Sequence, residues 1–286
     1  MEEKLLEEID NLKNISNIPT LADFLGKEFN EMINGILGNE ILNTGHSMTC
    51  YLLDLFKCNI QKGMDAINIF HVGYPNIKYT DIFSPYYDTL TTRRLWLQAS
   101  KKLDMKNHIH SSLVMNTYFR WYSSTFELFR KMLIYDCYCL GIKTGHEINI
   151  KNYLFGIKDP SKKLKNEGPA DRLNLLDCYD STIRHSISHG NVMIIPGYGI
   201  VIRESNNEKE EINQIKYTDP DDFINSVTPN IEVMCGAVRL FHFIISAYLV
   251  PKFIDLFKQY LGASFSDATL VAMVRSIQRD SVNVVY

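Results

Sequence analysis

The stretch HIHSSLVMNTYFRWYSSTFELFRKMLIYDCYCL, residues 108–140, carries the strongest helical pattern in the chain. Its large apolar residues recur at helical spacing and cover more than one face: Leu113, Met115, Tyr118, Phe119, Tyr122, Phe126, Leu128, Phe129, Met132, Leu133 and Tyr135. Glu127 and Asp136 stand out as acidic residues within it. A helix that is apolar on several sides belongs inside a core or an interface, so we predict a central helix that ends at Gly141.

The segments before this stretch predict further helices. Residues 1–14, 21–37 and 46–57 each repeat apolar side chains at helical spacing. Residues 62–92 differ, because glycines and prolines interrupt short aromatic and β-branched pieces. Loop, short strand and lid all remain open for that segment.

Three further elements follow the long helix. Residues 173–188 repeat apolar side chains at helical spacing, and residues 191–203 place β-branched residues on both sides of a Pro-Gly pair, which predicts a two-stranded hairpin. Residues 219–222 predict the start of another long helix, because aspartate is a good N-cap and acidic residues favour the first helical turn. The predicted fold class is therefore mainly α with a small β-hairpin.

The composition limits the function classes. With 286 residues, of which 45% are apolar, the chain can bury one large core or two modest ones. The formal net charge of -3 and the pI near 6.2 give no overall attraction to nucleic acid, so any such binding requires a local basic patch. The acidic, amphipathic opening MEEKLLEEIDNL is unlike a signal peptide, and the apolar run 240–250 is too short for a bilayer, which takes about 20 residues. We therefore predict a cytoplasmic protein with no membrane segment.

The cysteines predict buried free thiols, because they lie mostly within apolar stretches and form no CxxC pair: Cys50, Cys58, Cys137, Cys139, Cys178 and Cys235. The close spacing of Cys137 and Cys139 leaves a metal site as the alternative, but no second Cys or His pair lies at zinc-ligand spacing. The sequence predicts neither a metal nor a cofactor.

The residues that carry chemistry are RHSISH, residues 184–189, followed by Gly190. The guanidinium of Arg184 stays charged at every physiological pH, and the imidazole of His189, with an ordinary pKa of about 6.5, exchanges a proton near neutrality. Cleavage of a phosphodiester needs both a fixed positive charge and a proton shuttle. The pair therefore suits cleavage of RNA without a metal.

The arrangement of Arg, a polar residue, three further residues and His resembles the Arg-x4-6-His signature of the HEPN superfamily of nucleotide-binding domains. The resemblance covers about residues 105–262 and implies an up-and-down helical bundle with the signature near the end of a late helix. It also implies a metal-independent endoribonuclease without cofactors, similar to effectors of prokaryotic defence, abortive infection or toxin systems. HEPN toxins silenced by nucleotidyltransferases carry a tyrosine where this chain has Asn191, so that form of control is not expected.

The resemblance assigns roles to individual residues. It implies that Arg184 and His189 are catalytic, and His185 orients the site or contacts phosphate. Glu127 is a candidate to orient Arg184 from an earlier helix, with Asp136 as an equal rival. Supporting positions that complete the predicted site are Ser188 and Asn191.

Arg184 and His189 do not share a face of a regular helix, because positions five residues apart diverge by about 140°. Either the helix breaks near Ser188 and the two converge within one chain, or two chains pair their motif helices. The HEPN resemblance implies the second arrangement, a homodimer with a composite active site. The alternative without function is that Arg184 pairs with an acidic residue while His189 caps the last carbonyls of its helix.

A basic, breaker-rich connection precedes the motif helix at residues 151–171 and contains Lys162, Lys163 and Lys165. One interpretation is a solvated loop. The other is that these lysines contact RNA phosphates, because they lie shortly upstream of the Arg/His motif.

The predicted organisation is a helical N-terminal region of unassigned role, residues 1–104, then a HEPN-like domain, residues 105–262, and a tail, residues 263–286. The N-terminal region leaves room for a regulatory protein or ligand as a partner besides RNA. Two other functions stay open. One is a non-catalytic HEPN-like module that binds nucleotide, RNA or protein. The other is a structural interaction protein in which the Arg/His motif is a coincidence.

Overall fold

The fold is mainly helical, which confirms the predicted class. A computed structural model of the chain describes residues 1–14, 33–104, 106–146, 149–150, 158–167, 171–195, 199–203, 212–217 and 219–262. Most of the predicted helix over 21–37 and all of the predicted tail 263–286 lie outside the described residues.

The helices of the first part of the chain are α1 (Glu2–Leu12), α2 (Gly38–Cys58), α3 (Ile60–Val72), α4 (Phe83–Lys102), α5 (His108–Thr144) and α6 (Lys158–Glu167). A 3-10 helix (Asp171–Cys178) and α7 (Ser181–Ser188) follow, and then β1 (Val192–Ile195), β2 (Gly199–Arg203) and β3 (Ile212–Tyr217). The last elements are α8 (Pro220–His242), a π-helical segment (Phe243–Leu249), a helical turn (Val250–Lys252) and α9 (Ile254–Leu261).

Helix α5 is the central helix that its sequence predicts. Residues 132–135 are four consecutive positions that are each at most 2% exposed, so the helix has no solvent-facing side there. The predicted end at Gly141 is wrong, because the helix continues to Thr144. Gly145, with φ of 74°, takes the left-handed conformation that ends helices, and its N–H donates to the carbonyl of Ile142 at 3.2 Å.

The segment that the sequence leaves undecided, residues 62–92, is largely helical. Before α3, the side chain of Asn59 accepts a hydrogen bond from the backbone N–H of Lys62 at 3.1 Å. At the start of α4, the carboxylate of Asp81 accepts from the N–H of Ser84 at 2.9 Å. Two helices with side-chain capping bonds therefore stand where a loop, strand or lid was considered.

The basic segment before the motif is also helical where it is described. Residues 158–167 form α6, so the solvated-loop interpretation is wrong there, while residues 151–157 and 168–170 lie outside the described part. Lysine and glutamate are good helix formers, and Pro160 lies in the first turn, where a missing N–H is tolerated.

The predicted hairpin is present as β1 and β2, which pair antiparallel with Val192 opposite Ile202 and Ile195 opposite Gly199. The third strand, β3, pairs antiparallel with β2 and gives the sheet order β1-β2-β3. The sequence did not predict β3, because residues 204–217 are rich in charged and amide side chains and give little alternation of apolar positions.

The chain divides into two compact units that alternate along the sequence. One contains residues 1–84, 130–172 and 236–286, and the other contains residues 85–129 and 173–235. This division differs from the linear boundaries predicted at 104 and 262. Three of the four boundaries fall within α4, α5 and α8, because a long helix can contribute its two ends to two different cores, and the fourth falls within the 3-10 helix Asp171–Cys178.

Within the described residues, one continuous helical stretch, Pro220–Lys252, is long and apolar enough to cross a membrane, and its most apolar 18-residue window has a mean hydropathy of 1.8. Of its most apolar window, 94% is buried inside the fold. That burial is the pattern of a core helix, in line with the expectation from the short apolar run 240–250.

Candidate active site

The motif helix α7 is fixed at its start by Asp180. Its carboxylate accepts hydrogen bonds from the backbone N–H groups of Thr182 and Ile183 at 2.8 and 3.1 Å, which is an N-cap. The N–H of Asp180 donates to the hydroxyl oxygen of Tyr122 on α5 at 3.0 Å, so the central helix holds the beginning of α7. The predicted single helix over 173–188 is therefore wrong in one respect, because a 3-10 helix and this cap precede α7.

The end of α7 is fixed by Gly190, whose φ of 68° places it in the left-handed region. Its N–H donates to the carbonyl of Ile187 at 3.2 Å, and the N–H of Asn191 donates to the carbonyl of Ser186 at 2.7 Å. This pair of bonds is a Schellman motif. It makes His189 the C-cap residue and directs the chain into β1.

Replacing Gly190 by alanine is expected to lower the free energy of unfolding by about 1 kcal/mol, because a side chain disfavours the left-handed conformation. An added Cβ meets nothing within 4 Å, so the effect is conformational and not a clash. Urea unfolding measures it. Gly190→Asn is the control, because asparagine tolerates this conformation, and equal stability losses in the two variants would contradict the account.

A cavity of about 520 Å³ lies beside α7 within the unit of residues 85–129 and 173–235. Side chains from α4, α5, α7 and the chain entering β1 line it: Pro85, Asp88, Asn116, Phe119, Arg120, Ser123, Ser124, Glu127, Arg184, Ile187, Gly190 and Val192. Half of them belong to one face of α5, on which polar residues recur three or four positions apart. Four of the polar lining residues were not named from the sequence: Asn116, Arg120, Ser123 and Ser124. The sequence signal that could have indicated them is this polar stripe on an otherwise apolar helix.

Arg184 lines the cavity and pairs with Glu127, another of its lining residues. Its Nη2 lies 3.3 Å from Oε2 of Glu127, and the two side chains are 36% and 31% exposed. The predicted pairing with Glu127 is thus present, and the orienting role stays a prediction. The rival Asp136 is fully buried in the other unit.

His189 is exposed and stands beside His185, one turn earlier on α7. Their ring centroids are 4.3 Å apart with an interplanar angle of 48°. Both rings are exposed to solvent, so two imidazoles are presented side by side on the surface of the motif helix. The imidazole pair is a compact group of proton donors and acceptors.

Arg184 and His189 do not both line the cavity. The cavity lining includes Arg184 but not His189. Helix α7 does end at Ser188, whose hydroxyl donates to the carbonyl of Arg184 at 3.1 Å, but the break leaves His189 in solvent. Convergence within one chain and pairing of the motif helices of two chains both stay predictions.

The predicted RNA-contacting lysines are on α6, in the other unit. Lys162 and Lys165 are exposed and Lys163 is partly buried. None of the three lines the cavity described above. Their contact with RNA remains a prediction with no support beyond their charge.

Within the part of the chain that the structure describes, no group of three or more His, Cys, Asp or Glu side chains is placed to hold a metal ion. Cys137, Cys139 and Cys235 are buried thiols, as predicted, while Cys50 and Cys178 are partly buried and Cys58 is exposed. Burial raises the pKa of Cys235 to about 12. Such a thiol stays protonated and inert.

Comparison with models of known protein families, with curated proteins and with solved structures found no match for this chain.

Proposed function

We propose that this protein is a metal-independent endoribonuclease of the HEPN type, with Arg184 and His189 as its catalytic residues. One observation carries the proposal. Helix α7 places the guanidinium of Arg184 in the lining of a polar cavity and presents the exposed imidazole of His189 at its C-terminal end. The proposal includes a HEPN-like up-and-down bundle for residues 105–262, a cytoplasmic location and a role as a defence or toxin effector. These finer statements rest on the motif resemblance and the predominantly helical fold.

The proposed reaction is transesterification within the RNA strand. His189 accepts the proton of the ribose 2′-hydroxyl while the 2′-oxygen forms a bond to phosphorus. Arg184 stabilises the negative charge that develops on the phosphate oxygens. The bond from phosphorus to the 5′-oxygen breaks, and that oxygen takes up a proton, so the products are a 2′,3′-cyclic phosphate and a 5′-hydroxyl.

The proposed active form is a homodimer. Arg184 lines the cavity, while His189 is exposed and outside its lining, so in the proposed dimer a phosphate on Arg184 of one protomer meets the imidazole of the second. A two-fold axis that brings the ends of the two α7 helices together would supply it at two equivalent sites. His185, beside His189, then contacts phosphate or positions the second imidazole.

A non-catalytic module is the second candidate, and a specific observation favours it. The 3.3 Å contact between Arg184 and Glu127, together with the position of His189 at a helix C-cap, is also what a structural ion pair and a cap would give. In that case the cavity binds nucleotide, RNA or a protein segment without cleaving it.

The experiment that separates the two candidates is incubation of the purified protein with total RNA in EDTA. Wild type should cleave and leave cyclic-phosphate ends, while Arg184→Ala, matched to wild type in free energy of unfolding, should not. Intact RNA with all proteins would favour the non-catalytic module. Equal cleavage by wild type and variant would place the chemistry elsewhere.

A further inference from the structure

The cavity contains a second arginine that the proposed chemistry does not use. Arg120 lines it and contacts Asp88, which also accepts from Ser124, while Arg184 lines it and contacts Glu127. Arg120 and Glu127 are seven residues apart on α5, which corresponds to about 10 Å along the helix axis. Arg120 and the Glu127 carboxylate that pairs with Arg184 are therefore attached about two turns apart on the same helix.

Arg120 is held only weakly. Its Nη2 lies 3.7 Å from Oδ1 of Asp88, and the two side chains are 69% and 48% exposed. The other oxygen of Asp88 accepts a hydrogen bond from the hydroxyl of Ser124 at 2.6 Å. An exposed ion pair of this length contributes little to stability, so a phosphate can compete with Asp88 for the guanidinium.

Other lining residues offer surfaces for the rest of a nucleotide. Ile187 and Val192, both partly buried, provide apolar contacts for a sugar or base, and Phe119, which is 4% exposed, adds a small part of the apolar wall. Asn116 and Ser123 provide amide and hydroxyl groups for hydrogen bonds with base edges.

We propose that this cavity binds the nucleotide next to the scissile phosphate, with Arg120 binding the neighbouring phosphate and Asp88 competing for the same guanidinium. The inference rests on the proposed function, because it takes Arg184 as the place of the scissile phosphate. Arg120 then fixes the register of the RNA strand, and Asp88 weakens the binding of every strand. The two residues act in opposite directions on affinity.

The test is the affinity for a fluorescein-labelled 2′-O-methyl RNA hexanucleotide, measured by fluorescence anisotropy. This probe has no free 2′-hydroxyl on its nucleotides and is not cleaved. We expect Arg120→Gln to weaken binding about tenfold and to reduce the slope of log affinity against log salt by about one. We expect Asp88→Asn to tighten binding. The control Lys102→Gln removes the same charge from an exposed position on α4 and should change affinity less than twofold.

A further variant separates the cavity from general surface charge. Ser123→Phe places a ring in the cavity without changing any charge, and we expect it to weaken binding as strongly as Arg120→Gln. All variants are compared at a free energy of unfolding close to that of wild type. Loss of affinity with Arg120→Gln but not with Ser123→Phe would overturn the cavity as the binding site.

The outcomes distinguish this inference from the proposed ribonuclease activity. Cleavage of RNA by wild type, with equal probe affinity for wild type, Arg120→Gln and Asp88→Asn, would overturn the inference alone. Probe binding that depends on Arg120 and Asp88 as expected, without cleavage of RNA by wild type, would support the nucleotide site and overturn the proposed function alone.

Discussion

The His189→Ala variant is expected to cleave RNA about 10²–10⁴-fold more slowly than wild type, because general acid or base action typically contributes that much. Its stability should change little. His189 is exposed at the end of α7, where a protonated imidazole contributes at most about 1 kcal/mol through the helix dipole. Initial cleavage rates of a defined RNA, with urea unfolding of the same samples, measure both effects.

The control for this prediction is His108→Ala. His108 is exposed at the start of α5, in the same unit as His189, and lies outside the cavity lining. This variant should cleave at the wild-type rate. Two outcomes would contradict a catalytic role for His189. One is an equal rate loss in the control, and the other is a rate loss in His189→Ala that is explained by a loss of stability.

The free energy of unfolding should fall by about 2 kcal/mol between pH 7 and pH 5 through His71 alone. Burial lowers the pKa of His71 to about 4, while its hydrogen bond to the carbonyl of Ile67 opposes this. His242, 5.8 Å away between ring centroids, has a pKa well below its ordinary value, because it is buried and because protonated His71 and the guanidinium of Arg239 would each repel its positive form.

The sign follows from where protons bind. Below a pH of about 6.5 the unfolded chain protonates these histidines and the folded chain does not, so stability is lost as the pH falls from 6.5 toward 4. Carboxyl groups act at lower pH. Burial raises the pKa of Glu8, but hydrogen bonds from Lys252 and Tyr248 outweigh this effect, so the pKa is lowered overall. The stability that Glu8 contributes is therefore lost only below about pH 4.5.

Urea unfolding at pH 7, 6 and 5 tests the histidine prediction, with His71→Gln as the matched variant. Glutamine can still donate to the Ile67 carbonyl and accept from the hydroxyl of Ser246, which lies 3.2 Å from His71 Nε2. Whatever its stability at pH 7, the variant should lose less free energy between pH 7 and pH 5 than wild type. An equal loss would show that His71 does not titrate as its burial requires.

The parts of the fold that the sequence predicted are those with local causes. Helix α1 buries Leu5, Ile9 and Leu12, the residues whose spacing indicated it, and the hairpin follows from β-branched residues around a Pro-Gly pair. Helices α3 and α4 were left undecided, because Gly63 and Pro85, which look like helix breakers, lie in their first turns. Strand β3 was not predicted, because the sequence around it, residues 204–217, is rich in charged and amide side chains.

The candidate site was predicted only in part, because some of its features have local causes in the sequence and others depend on distant residues. The motif residues and Glu127 were named from sequence, but the hydrogen bond that holds the start of α7 joins Asp180 to Tyr122, 58 positions away along the chain. The cavity joins residues from Pro85 to Val192, which no local pattern connects. Whether Arg184 and His189 converge also depends on the exact end of α7, which Gly190 sets.

Mixing the Arg184→Ala and His189→Ala variants tests the central claim most directly, because that claim places the two catalytic residues on different protomers. After subunit exchange, a mixed dimer contains one site with both residues intact and one site with neither. Each variant alone should be inactive, and the equimolar mixture should recover roughly a quarter of the wild-type cleavage rate. A mixture as inactive as either variant alone, beside an active wild type, would contradict a composite site.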